Sequence, residues 1–390
     1  MKRIVGFVLL IAMLLCGCEA RPKSNDQASF SHWNSDAPAL NALIGYVRAV
    51  TDKASPDYIP PADRIATFDM DGTLIGELFP TYLEDVMLMR RIFDDPTYTP
   101  DEDMVAFGLV IRDHAVDRTF PAGFEYEFSS HLAKAFAGMT LKEYDEYVTQ
   151  FLASPVDGFE GMTYAKGYYL PMAEVIAYLL QNDFKCYIVS GSDRFTIRTF
   201  IKGVFDIPDE NCIGSDAKLE AKDQGEAEDY DYQFTGDDAV IRTAQLLVKD
   251  VKTSKVLQIA REIGKQPVLS FGNSSGDVSM HNYALHNNRY RSAVFQLIAD
   301  DDVRDYGHPE KGPELRRQWE DMGFHVISMR DDWKTIYGEN VVRTGEFHWQ
   351  EDYSDDKISE KTGGLPSTSP ANVQWTPERL AVAWLVLKEG

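Results

Sequence analysis

Cysteine is scarce in this chain. Four stand among 390 residues, and Cys16 and Cys18 fall in a short apolar leader, which leaves Cys186 and Cys212 for the rest. Neither has the spacing of a metal-binding pair. In an exported protein the two could be bridged, but both fall on neighbouring strand-like runs, where two buried thiols fit equally well. Positive charge is also short: 39 Lys and Arg face 62 Asp and Glu, for a net charge of -23. So acidic a surface argues against nucleic acid as a partner and against electrostatic adhesion to anionic lipid. His281, His286 and His308 have no partner spacing for zinc. The chain has no internal repeat and no low-complexity tract. What it does have is 44% hydrophobic content over a length that suits one large core, or a core with an inserted subdomain.

The one long apolar run, Ile4 to Leu15, follows Lys2 and Arg3 and is too short to span a bilayer comfortably. It ends Leu15-Cys16-Gly17-Cys18, which resembles a bacterial lipoprotein signal with Cys18 as the lipidated residue; an ordinary cleaved secretory signal is the alternative. The lipoprotein resemblance implies that residues 1–17 are removed and that the mature chain is tethered through acyl chains on Cys18. It also implies a place in the cell envelope, on the periplasmic or extracytoplasmic face of a membrane. Residues 18–37 are polar and read as a flexible tether, and Leu40 to Val50 carries a helical apolar stripe.

The rest of the chain is organised around Ile65-Ala66-Thr67-Phe68-Asp69-Met70-Asp71-Gly72-Thr73-Leu74. A strand-like apolar run stops at one acid, a second follows two places on, and Gly72-Thr73 turns the chain away. The period of a strand puts Asp69 and Asp71 on one face, and two carboxylates so close call for a divalent cation between them. Further along, the strand candidate Phe184 to Val189 ends in Ser190-Gly191-Ser192, a turn whose hydroxyl and free N–H groups suit a phosphate oxygen. A third strand, Pro267 to Phe271, runs into Gly272-Asn273-Ser274-Ser275-Gly276-Asp277, and Lys249, Lys252 and Lys255 precede it.

In this order the segments resemble the four motifs of the haloacid dehalogenase-like hydrolases, mostly Mg-dependent phosphatases, over Arg64 to Trp333. The resemblance implies an α/β fold: an open parallel Rossmann-like sheet in a core of residues 38–78 and 167–390, with a helical cap inserted at 79–166. It implies Asp69 as nucleophile, Asp71 as general acid and base, and Lys255 (or else Lys252) as the cation between carboxylate and phosphate. Thr73, Ser190 and Gly191 would bind the phosphoryl group. Mg2+ would be held by Asp69, Asp71, Asn273 and Asp277, with the choice of direct ligand between Asn273 and Asp277 open. Many members carry aspartate where Asn273 stands, so the site is one charge short. Asp71 also speaks against a dehalogenase, because a halide leaves without a proton.

The insert reads as four helices: Tyr82 to Phe93, Asp101 to Val116, Phe124 to Phe136 and Leu141 to Leu152, the last capped by Thr140 with Glu143 three residues on. The resemblance makes it a mobile cap. Its aromatics are expected mainly in its own core, with a cage for a quaternary ammonium as the minority reading. Cys212 to Leu219 and Tyr230 to Phe234 read as a peripheral hairpin, Glu346 to Pro370 as a surface loop and Thr376 to Lys388 as a final helix. The expected activity is hydrolysis of a small exported phosphomonoester. Glu77 suggests phosphoserine, since phosphoserine phosphatase-like members carry a glutamate near there, though this one comes one residue early. The cap aromatics suggest phosphocholine. A phosphotransferase, or a non-catalytic phosphate- or metal-binding lipoprotein, would carry the same motifs.

Overall fold

The computed structural model describes residues 30–364. Cys18, the leader, most of the tether and the expected helix at Thr376 lie outside them. A seven-stranded sheet in the order β5-β4-β3-β1-β6-β7-β8 forms the core. Helix α1 (Pro38–Thr51) leads into β1 (Ile65–Phe68), which lies between β3 (Lys185–Asp193) and β6 (Leu269–Gly272) and pairs in parallel with both. All four residues of β1 are buried, as a central parallel strand requires. On one side β4 (Cys212–Ala221) continues the parallel ladder; on the other do β7 (Ala293–Ile298) and β8 (His325–Ser328). The edge strand β5 (Val240–Val248) runs antiparallel to β4, so the sheet is mostly rather than wholly parallel.

Strand alternation divides the core. From β7, Phe295 and Leu297 join the main cluster with α1 and α6 (Leu170–Gln181), while Val294 and Ile298 pack with Trp319 and Ala284 in a smaller one. Those two belong to α10 (Gly312–Asp321) and α9 (Val278–Leu285). Phe68, Phe271 and Phe295 stack across β1, β6 and β7 with ring centroids 4.4 and 5.1 Å apart. Burial of each is worth about 2–3 kcal/mol. Helix α7 (Arg194–Ile201) packs on β3 and β4; α8 (Thr253–Gln258) continues as a π turn over Ile259–Ile263.

The insert forms α2 (Leu83–Phe93), α3 (Glu102–His114), α4 (Phe124–Ala135) and α5 (Leu141–Leu152). Asp101 caps α3 and a Thr140/Glu143 capping box starts α5. A two-stranded ribbon of β2 (Phe159–Glu160) and β9 (Val342–Arg343) closes the insert against the C-terminal segment.

Three expectations need correction. Tyr230 and Phe234 form no strand; they are exposed in the loop between β4 and β5, because their alternating pattern has no partner strand to pair with. The segment after Glu346 is not all loop. Between α11 (Met329–Asp332) and the end of the described chain lie α12 (Trp349–Asp352) and α13 (Asp355–Lys361), which bury Trp349 and Ile358. Residues 30–37, expected to belong to the tether, are part of the fold. Trp33 is buried edge-to-face on Trp333 at 5.9 Å, and its indole N–H donates to the Pro171 carbonyl at 2.9 Å.

Candidate active site

The site opens at the carboxyl end of β1, where the sheet order reverses between β3 and β6 and crevices form in such folds. The Asp69 N–H donates to the Phe271 carbonyl at 3.0 Å, which carries the strand one residue past Phe68 and fixes the first acid. Gly72 then turns the chain with φ +73°, and a β-carbon there would lie 1.9 Å from Asn273 Nδ2. Both the dihedral and the close approach demand glycine.

Lys255 stands on α8 with its ammonium between two carboxylates, 2.6 Å from Asp69 Oδ1 and 2.7 Å from Asp277 Oδ1. Topology thus separates it from Lys252, which is exposed in the left-handed region at φ +53°. Burial and the Asp277 charge push the Asp69 carboxyl well above its ordinary range, against the pull of Lys255. Burial opposes Asp277 as well, but Lys255, His281 and the Ser274 N–H hold it below the usual value. His281 itself is a satisfied core histidine between Ser270 and Gln296, and burial lowers it to about 4.

At the end of β3, Ser190 Oγ accepts from the Ser192 N–H at 3.2 Å, and Ser192 Oγ donates to Asp71 Oδ2 at 2.6 Å. The Gly191 carbonyl accepts from Lys249 Nζ at 3.0 Å. Sequence reasoning assigned nothing to Ser192 or Lys249. For Ser192 a signal existed, since a hydroxyl two places from Ser190 shares its side of an extended strand end. Thr73, expected to bind the phosphoryl group, is instead fully buried and does not line the cavity, and its hydroxyl has no hydrogen-bond partner.

Above these residues lies a cavity of about 870 Å³, whose wall includes Asp69, Asp71, Glu77, Ser190, Gly191, Lys255, Asn273 and Asp277. The cap contributes Tyr82, Glu84, Asp85, Arg118, Phe120, Phe124, Tyr126 and Phe128. Phe120, Phe124, Tyr126 and Phe128 border the cavity, Phe124 and Phe128 being core members as well, while Phe136, Tyr144 and Phe151 are buried away from it. Arg118 also went unforeseen. Its guanidinium lies over the Tyr82 ring at 4.4 Å, approaches Glu77 Oε1 at 3.5 Å and donates to the Glu77 carbonyl. Burial lifts Glu84 to about 8 and Asp85 to about 7.

The cap expected to move is fastened on two sides. Arg242 on β5 forms a buried pair with Asp193 at 2.6 Å and lies over the Tyr144 ring of α5 at 4.0 Å. Glu84 on α2 accepts from the Asp193 N–H at 2.9 Å, and the β5 backbone exchanges bonds with the cap at Gly138 and Met139. On the far side Trp349 donates to the Arg112 carbonyl at 3.0 Å and Arg112 pairs with Asp355 at 2.6 Å. The β4–β5 hairpin, expected to be peripheral, thus anchors the cap.

The charges of the site suit a divalent cation. Asp69, Asp71 and Glu77 are all held above the carboxylate range, with burial the largest cause in each. Of the four expected ligands, Asp277 is occupied elsewhere: Oδ1 holds Lys255, and Oδ2 accepts from the Asn273 and Ser274 N–H groups at 3.1 Å. Asp71 Oδ2 accepts from Ser192, which leaves its Oδ1 and its carbonyl. Asp69 Oδ2, the Asp71 carbonyl and Oδ1, and the Asn273 amide remain. Among the described residues no three of His, Cys, Asp and Glu gather as for a metal.

The sequence profile of the haloacid dehalogenase-like hydrolases matches residues 66–281, more than half of the chain. No curated protein matches the sequence. Among solved structures, a conserved protein of unknown function from Anaerococcus prevotii shares 14% identity over 76% of this chain and 92% of its own, with a TM-score of 0.46. A protein of unknown function from Bordetella pertussis Tohama I shares 14% over 68% and 98%, with a TM-score of 0.44. A phosphoserine phosphohydrolase-like protein from Francisella tularensis shares 14% over 68% and 94%, with a TM-score of 0.36.

Proposed function

We propose, for a chain that belongs to the haloacid dehalogenase-like hydrolase family, that the reaction is Mg-dependent hydrolysis of a small phosphomonoester through an aspartyl phosphate. The observation that carries this is the Lys255 ammonium held 2.6 Å from Asp69 and 2.7 Å from Asp277, at the foot of a cavity that also receives Asp71. A carboxylate so braced can meet a phosphate dianion that would otherwise repel it.

With Oδ1 tied to Lys255, Asp69 attacks phosphorus through Oδ2, and the bond from phosphorus to the ester oxygen breaks. Asp71 gives its proton to that oxygen as the alcohol leaves. Asp71, now ionised, takes a proton from water as the water attacks phosphorus; the bond to Asp69 breaks and phosphate departs. Ser190, which lines the cavity, meets a phosphoryl oxygen through its hydroxyl; Thr73 is buried away from the cavity and takes no part. Bound Mg2+, on Asp69, the Asp71 carbonyl and Asn273, would supply Lewis-acid stabilisation of charge on the transferring group.

The substrate meets a wall of Phe120, Phe124, Tyr126 and Phe128 joined by Glu125, which favours a leaving alcohol bearing an ammonium group, as in phosphocholine. Phosphoserine is the weaker choice because Glu77 already faces Arg118. The envelope location and the lipid on Cys18 belong to the same proposal, since an acidic domain needs a tether to stay at an anionic surface.

The test is turnover of p-nitrophenyl phosphate, phosphocholine and phosphoserine by the full chain, with Mg2+ or with chelator. Hydrolysis that needs Mg2+ and disappears in Asp69→Asn is expected. Undiminished turnover in Asp69→Asn, or none on any ester, would count against the assignment.

A further inference from the structure

Asn273 leaves the cation site one negative charge short, and Glu77 stands where that charge could be replaced. A β-carbon placed on Gly72 would lie 1.9 Å from Asn273 Nδ2 and 2.8 Å from Glu77 Cδ, so the amide and the carboxyl crowd the same point above the Asp71–Gly72 turn. Both line the cavity beside Asp69. A carboxylate only accepts hydrogen bonds, so the part of the amide it can engage is the NH2. Burial raises the Glu77 carboxyl on balance, with Arg118 first and then the Asn273 side chain drawing it part of the way down. The amide oxygen, the only end that can bind a metal, is then left for the Asp69 side.

We infer that Glu77 completes the cation site by fixing the Asn273 amide with its oxygen toward Asp69 and by lending the charge that asparagine lacks. This rests on the reading that a divalent cation binds beside Asp69. Partners of this kind behind a ligand set both its orientation and the strength of binding. The other group on the Glu77 carboxylate is Arg118, with Nη1 3.5 Å from Oε1. That separation is long for a charged hydrogen bond, and a carboxylate with two oxygens can serve both neighbours. Glu77 is thereby a positioning residue for the metal ligand.

Mg2+ titration calorimetry on the full chain without substrate reads this apart from turnover. Glu77→Gln should weaken Mg2+ binding about tenfold or more. Adding Asn273→Asp to Glu77→Gln should restore it, because a carboxylate needs no orienting partner and brings its own charge. Asn273→Asp alone should bind more tightly than the parent. Melting midpoints verify that each variant is folded. Unchanged Mg2+ affinity in Glu77→Gln would overturn the inference and leave Glu77 as a tie to Arg118. So would a double variant no tighter than Glu77→Gln. If the parent binds no Mg2+ yet hydrolyses p-nitrophenyl phosphate, the inference falls while the hydrolase reading stands. If Mg2+ binds and responds as stated but no ester turns over, the hydrolase reading falls alone.

Discussion

Lys255→Met should remove turnover and stability together. The ammonium touches Asp69 and Asp277 at 2.6 and 2.7 Å, both carboxylates are buried, and nothing else cationic contacts either at those distances among the described residues. Loss of a preorganised charge at the phosphoryl site should lower kcat about a thousandfold. Removing one member of a buried charge cluster costs about 3–5 kcal/mol, because its partners stay buried and unpaired. The pH dependence of the Asp277 contribution should change sign too. In the parent Asp277 is held below its ordinary value, so it stabilises the fold above the unfolded pKa and ceases to as pH falls through the folded one. Without Lys255, burial raises Asp277 as it already raises Asp69, and their joint contribution is then greatest in acid and declines as pH rises through their folded values. Urea midpoints at pH 5 and pH 8, for parent and variant, check this. A variant as stable at pH 8 as its parent would mean that Lys255 does not balance these carboxylates.

Asp71→Asn should divide substrates by leaving group. An alkoxide needs a proton in order to leave and p-nitrophenolate does not. Hydrolysis of an alkyl phosphate should therefore fall about a thousandfold, with a much smaller loss on p-nitrophenyl phosphate. Burial lifts Asp71 above the ordinary carboxylate range and the Ser192 hydroxyl at 2.6 Å draws it down again. In the parent, kcat/KM for the alkyl ester should decline on the alkaline side as Asp71 loses its proton. In Ser192→Ala that decline should shift to higher pH, since the carboxylate loses its donor. Steady-state profiles on the two esters decide it. Equal losses on both in Asp71→Asn would take the proton role away from Asp71.

The fold was legible because β1, β3 and β6 each end an apolar run at a polar turn, and those turns meet at one end of the sheet. The nucleophile position, the serine turn and the asparagine loop could be found for the same reason. The spacing that follows Lys255 pointed to it ahead of Lys252, and α8 aims its ammonium at Asp69 at the end of β1. Arg118 and Glu84 act through residues far off in the chain, so no spacing revealed them. Trp349 and Ile358 sit in a stretch that reads as polar loop; burial against the cap makes it helical. Tyr230-Asp231-Tyr232-Gln233-Phe234 alternates like a strand, but the rings remain in solvent where no ladder reaches them.

Rapid quenching of a single turnover in acid, followed by peptide mapping, addresses the central claim most directly. Phosphate should be found covalently on Asp69 of the parent, should build up in Asp71→Asn where release needs a base, and should be absent from Asp69→Asn. Phosphate on another side chain, or steady hydrolysis by the parent with no phosphorylated peptide at any quench time, would contradict the account.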